Sequence, residues 1–136
     1  MKFVDTSWWL AWALPREHRH KEAVAVLGTL GTTEQILTTN LVVGESWTFL
    51  RRKYHHHYAV AFVDRVESLV NAGRLVVHRV TEEQEAAAWS WLRTRDERVY
   101  SFVDATSFRV MHDRRLREAF AFDHDFAAAG FVEVRE

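Results

Sequence analysis

Short apolar runs alternate with longer segments whose apolar positions recur every three or four residues, and the alternation persists along the whole chain. Phe3-Val4 predicts a short buried strand at the very start. Residues 8–14 predict a first helix that stops near Pro15, and residues 20–30 a second helix closed by Gly31. Residues 35–38 form a candidate strand, and Asn40 stands as the N-cap of a helix running through Val42, Glu45, Phe49 and Arg52. A further helix fits 59–71, with Ala72-Gly73 at its C-terminal cap, followed by a strand at 75–77. Helices then fit 82–92 and 103–114, with strands at 119–122 and 131–134. Strands that alternate with helices predict an α/β fold: a three-layer α/β/α domain with a central, mostly parallel sheet covered by helices on both faces. No linker or repeat divides the chain, so one domain is expected over 1–136. In such sheets ligands gather beyond the carboxyl ends of the strands.

Composition narrows the chemistry. Apolar residues make up 48% of the chain, enough for a real core, which excludes a disordered chain. There is no cysteine, so disulfides, thiolate zinc sites and a cysteine nucleophile are excluded. The N-terminus lacks a charged segment leading into an apolar one, and the longest apolar run, 8–14, is far below the roughly twenty residues of a membrane span. A soluble cytoplasmic protein with no membrane role is the expectation. The net charge of −1 argues against a binder of polyanions that works through bulk charge.

Four of the nineteen acids stand in apolar surroundings. Asp5 follows Phe3-Val4, Glu45 sits within 41–45, Asp104 follows Phe102-Val103, and Asp123 follows 119–122. Each has an ordinary reading alone: Asp5 as a loop or cap residue, Asp104 as an N-cap, Asp123 in an Asx-turn. Glu45 is the hardest to explain this way, since a capping role needs a place nearer the helix terminus. Four carboxylates gathered at one sheet edge repel one another unless they share protons or bind cations. An all-oxygen donor set without His or Cys suits Mg²⁺ or Mn²⁺ rather than zinc. Phosphodiester hydrolysis is the leading chemistry for such a centre, with phosphomonoester hydrolysis next. A haloacid-dehalogenase-like phosphatase would need a second Asp two residues after Asp5, where Ser7 stands, and a receiver domain would need a late lysine, whereas none follows Lys53.

Val4-Asp5-Thr6-Ser7, Glu45, the segment 101–108 (Ser-Phe-Val-Asp-Ala-Thr-Ser-Phe) and the segment 121–126 (Ala-Phe-Asp-His-Asp-Phe) together resemble the PIN domain, most nearly the VapC toxins of bacterial toxin–antitoxin pairs. The resemblance implies a PIN-like fold and a Mg²⁺- or Mn²⁺-dependent endoribonuclease acting on tRNA, rRNA or mRNA. It also implies a cognate VapB-like antitoxin that blocks the site, and a homodimer. By position it makes Asp5 and Asp104 the principal metal ligands, with Glu45 and Asp123 completing the catalytic pocket. Thr6 and Thr106 would support the pocket through hydrogen bonds, and Asp125 is a further candidate for holding metal or orienting water. A PIN-like module that holds RNA or protein without cutting is the alternative, as is a metal-dependent phosphatase.

Arg93, Arg95 and Arg98, shortly before Asp104, are candidate RNA contacts, unless Asp96 and Glu97 pair with them. The most basic stretch, 51–58, supplies Arg51 and Arg52 as further RNA contacts with aromatic rings between the charges; its other reading is a solvated helix end. Its three adjacent histidines do not share a helix face, which argues against zinc. Trp8, Trp9 and Trp12 read either as core or as an interface, and Trp89 and Trp91, two apart, cannot both be buried on one helical stripe.

Overall fold

The computed structural model describes residues 1–31 and 33–135; Thr32 and Glu136, the other positions of the domain expected over 1–136, lie outside the described residues. Strand β1 (Lys2–Val4) leads directly into α1 (Thr6–Ala13), then α2 (His20–Gly28) and β2 (Ile36–Thr39). Helices α3 (Asn40–Lys53) and α4 (His56–Asn71) precede β3 (Leu75–His78), and α5 (Glu82–Arg93) and α6 (Phe102–Asp113) precede β4 (Glu118–Phe120). A short α7 (Asp125–Ala128) and β5 (Val132–Glu133) complete the order.

The five strands form one sheet in the order β3-β2-β1-β4-β5, and every neighbouring pair is parallel. The chain therefore moves from β1 towards one edge, returns across it, and continues from β4 towards the other edge. Right-handed crossovers place α1–α4 on one face of this sheet and α5–α7 on the other, giving three layers. The direction changes between β1 and β4, so a crevice opens beyond their carboxyl ends. Asp5 and Asp123 follow those two strands.

Trp8, Trp9 and Trp12 are all buried, which settles their role as core. Trp8 stacks on Phe120 with centroids 5.4 Å apart, while Trp9 meets Trp12 and Phe62 edge to face at 5.3 and 5.8 Å. The Trp9 indole N–H donates to Thr38 Oγ1 at 3.3 Å, whose hydroxyl donates to the Val4 carbonyl at 2.9 Å. This chain of bonds ties α1 to the two central strands, and thereby fixes Asp5, which lies between them in sequence. Arg65 covers the outer face of Trp12 with its guanidinium 3.6 Å from the ring centroid.

Several boundaries differ from the sequence expectations for local reasons. Thr39, not Asn40, caps α3 by accepting from the Val42 N–H, and the Asn40 side chain instead accepts from the Val80 N–H at 2.9 Å. Helix α4 begins at His56 rather than 59, and α6 at Phe102 with Ser101 as its cap. The last strand is confined to Val132–Glu133, paired with Glu118 and Ala119 of β4. Gly73 closes α4 at φ +74, in the left-handed conformation expected at that cap. No helix of the described residues is long and apolar enough to cross a membrane.

Candidate active site

The cleft beyond β1 and β4, about 340 Å³ in volume, brings Asp5, Glu45, Asp104, Asp123 and Asp125 together, although they span some 120 positions of the chain. Each arrives by a separate device. Asp5 caps α1: its Oδ2 accepts from the Ser7 N–H at 3.2 Å and from the Ser7 hydroxyl at 2.7 Å. The Ser7 oxygen in turn accepts from the Phe122 N–H at 3.0 Å, and the Asp5 N–H donates to the Phe120 carbonyl. Ser7 thus clamps the ends of β1 and β4 around Asp5. Glu45 leans in from α3, with Oε1 accepting from the Thr6 hydroxyl at 2.7 Å.

Asp104 opens α6 as the partner of Ser101 in a reciprocal capping box, each side chain accepting from the other's backbone N–H. One carboxylate oxygen is spent on that cap and the other is free to face the cleft. Asp123 and Asp125 converge because His124 between them adopts the left-handed conformation, φ +70, which reverses the chain. The Asp125 N–H then donates to Asp123 Oδ1 at 3.3 Å. Oxygens of Asp104, Asp123 and Asp125 all lie within 4.8 Å of one another.

Concentrated negative charge shows in the protonation of these groups. Asp5 is only 2% exposed, and burial first, then the charge of Asp123, pushes its carboxyl well above the usual range. Glu45 and Asp104 shift upward as well, chiefly through burial. Asp123, though exposed as a whole residue, has its carboxyl shielded from water and crowded by Asp125 and Asp104, and is pushed up to about 6. Among the described residues none of Asp5, Glu45, Asp104 and Asp123 forms an ion pair. Uncompensated, hard, all-oxygen donors of this kind fit a divalent cation.

Arg98 reaches the rim. Its Nε donates to Asp125 Oδ1 at 2.6 Å and its Nη2 to the Asp123 carbonyl at 3.3 Å, so neither Asp96 nor Glu97 is its partner. Arg95, by contrast, pairs with Glu97 at 4.0 Å and lies over Trp91, and Arg93 is not among the residues that line the cleft. Arg52 lines an adjoining groove with Glu45 and Phe49, whereas Arg51 faces a different cleft. Trp91 packs inward against Tyr100 and Phe108, and Trp89, 47% exposed, stacks on Phe102.

Thr106 departs from its expected place. It is fully buried and its hydroxyl donates to the Val103 carbonyl at 2.8 Å, one turn back within α6, so it touches no acid of the cleft. Ser7 and Ser101 are the supporting residues that sequence reasoning missed. A serine two residues after a strand-ending Asp and one three residues before a helical Asp are the signals that point to them.

A family model described as the PIN domain matches residues 2–132. Two curated proteins named 23S rRNA-specific endonuclease VapC20, from Mycobacterium tuberculosis strains CDC 1551 and H37Rv, are each 46% identical to this chain, over 99% of it and 98% of their own length. The crystal structure of Mycobacterium tuberculosis VapC20, described as a sarcin-ricin loop cleaving toxin, superposes with a TM-score of 0.89 at 43% identity, covering all of both chains. FitAcB from Neisseria gonorrhoeae shares the fold, with a TM-score of 0.69 at 18% identity over 100% of this chain and 97% of its own. The parallel five-stranded sheet, the acids at its switch point and these matches lead to one conclusion: the chain belongs to the PIN domain family, on its VapC branch.

Proposed function

We propose that this chain is a divalent-metal-dependent endoribonuclease, the toxic half of a toxin–antitoxin pair, and that it cuts 23S rRNA in the sarcin–ricin loop. The observation that carries the reading is the set of four carboxylates without ion-pair partners that converge beyond β1 and β4. The VapC20 likeness supplies the choice of RNA. The chain acts as a single domain in the cytoplasm, forms a homodimer, and is held inactive by a VapB-like antitoxin seated over the cleft.

Asp5 and Asp104 are the principal ligands of a Mg²⁺ or Mn²⁺ ion, and Asp123 completes the set. When bound, the ion neutralises phosphate charge and lowers the barrier to hydrolysis of the P–O bond. Ser7 and Ser101 hold one oxygen of Asp5 and of Asp104, so both ligands are oriented before the ion arrives. Glu45, held at Oε1 by Thr6, keeps Oε2 to accept a proton from the attacking water. The products are one strand ending in a phosphate and one ending in a hydroxyl. Asp125 is engaged by Arg98, which makes it the residue that positions this guanidinium for an RNA phosphate rather than a principal metal ligand.

Incubation of deproteinised 23S rRNA and of ribosomes with the purified chain, followed by primer extension, tests the reading. A single new end within the sarcin–ricin loop is the expected result. Cuts scattered over many loops would leave a nuclease of other specificity, and intact RNA under all metal conditions would remove the enzyme reading.

A further inference from the structure

Helix α3 carries opposite charges at its two ends, Glu45 in its second turn and Arg51, Arg52 and Lys53 in its last. The terminal cations diverge. Arg52 turns to the groove that contains Glu45, while Arg51 and Lys53 line a separate cleft of about 710 Å³. That cleft is lined also by the 14–17 segment after α1, which adds Arg16, and by residues 54–58, which carry Tyr54, three histidines and Tyr58 from the end of α3 into the first turn of α4. Lys53 lies eight residues beyond Glu45, about 12 Å along the helix axis at 1.5 Å per residue.

Two features of this cleft call for a ligand. Arg16, Arg51 and Lys53 are exposed and, among the described residues, none has a carboxylate partner. Among the described residues Glu17 is the one acid that lines the cleft, and although the Lys53 ammonium lies 6.0 Å from the centre of the Phe49 ring, the three cations outnumber it on a chain whose net charge is −1. Beside these cations Tyr54 and Tyr58 meet edge to face at 6.4 Å, and Tyr54 is 40% exposed. Tyr58 is covered by His57 at 4.2 Å, so Tyr54 offers the open ring, and an acidic peptide would satisfy the cations and leave that ring unused. A single-stranded nucleic acid satisfies both, with phosphates on the cations and a splayed base on the ring.

We infer that this cleft is an RNA exosite, which grips phosphates and one unpaired base of the substrate strand beyond the scissile bond while the acid centre cuts. The inference rests on the nuclease reading and extends it to a second site at the other end of α3. Its consequence is that a structured RNA is held at two points, so that affinity and cutting reside in different residues.

Fluorescence anisotropy of a labelled RNA hairpin bearing the sarcin–ricin loop, in EDTA and over a series of NaCl concentrations, tests it without cleavage. The combined variant Arg16→Ala, Arg51→Ala, Lys53→Ala should bind more weakly, and the slope of log affinity against log salt should fall by about 2, near 0.7 for each lost phosphate contact. Tyr54→Ala should weaken binding by about tenfold and leave that slope unchanged, since a base stacked on the ring releases no counterion. All four side chains are exposed, so thermal melting should show an intact fold. A wild-type protein that binds the hairpin, with the triple variant matching it in affinity and slope, overturns the exosite alone. Loss of polyglutamate binding in the triple variant, with RNA binding intact, overturns it in favour of an acidic peptide. Wild-type protein that does not bind the hairpin overturns the exosite, whereas the nuclease reading stands or falls on cleavage with Mn²⁺ or Mg²⁺ present.

Discussion

Replacing Asp5 by Asn is expected to lower RNA cleavage by on the order of 10³-fold or more, because loss of a principal ligand forfeits several kcal/mol of charge stabilisation. The same change should leave the fold intact and raise the melting temperature of the metal-free protein. Asn at this position still offers an oxygen to the Ser7 N–H and hydroxyl, so the clamp between β1 and β4 survives. What disappears is a buried carboxyl crowded by Asp123 and Asp104, whose ionisation opposes folding. Lower activity and higher stability in one variant are the signature of a residue kept for function. Full cleavage by Asp5→Asn would remove Asp5 from the site, and a lower melting temperature would make it a structural cap.

The second large effect couples pH, metal and stability. In the metal-free protein burial, then the charges of Asp125 and Asp104, push the Asp123 carboxyl up to about 6, against 3.8 for an ordinary Asp. Between those values the folded state binds more protons than the unfolded one, so the free energy of unfolding falls as pH rises through this window. Asp5, Glu45 and Asp104 shift in the same direction and add to the trend. A divalent ion that binds only the folded state reverses the loss, by about 2.7 kcal/mol at a hundredfold excess over Kd, or on the order of 5–10 °C in Tm. Thermal melts at pH 4, 5, 6 and 7 with EDTA or Mn²⁺ check both halves. A metal-free protein equally stable at pH 4 and pH 7, or one indifferent to saturating Mn²⁺ at pH 7, would contradict the proposed role of the cluster.

The layers of the fold were legible because each strand is short, apolar and flanked by amphipathic segments. Phe3-Val4, 36–37 and 119–120 are buried on both sides of the sheet, which is why they read as apolar runs rather than as alternation. The expected strand over 131–134 is longer than β5, since Phe131 packs against the core ahead of the strand and Val134 follows it with one further bond, its N–H donating to the Ala119 carbonyl. Helix α7 was not anticipated: four residues leave no room for a periodic pattern. Thr39 displaced Asn40 as the α3 cap because Asn40 found a partner, Val80, forty positions away.

In the site, the four acids stood out as charge within apolar segments. Their supports divide by distance along the chain. Ser7 and Ser101 act two and three positions from their acids and were within reach of local rules. The bond from Arg98 to Asp125 spans 27 positions and depends on the turn at His124, which no local pattern announces. Thr106 was placed in the pocket by the family resemblance, whereas its helix points it inward to bond its own preceding turn.

The central claim is that these carboxylates hold a divalent ion in order to cut RNA. The most direct test is the rate of cleavage of a sarcin–ricin hairpin by wild-type protein, measured from excess EDTA through rising Mn²⁺ or Mg²⁺. The account predicts no cleavage in EDTA, a rate that climbs and saturates with the ion, and a single cut in the loop. Cleavage that persists undiminished in EDTA, or a hairpin left whole at saturating Mn²⁺ and Mg²⁺, would contradict it.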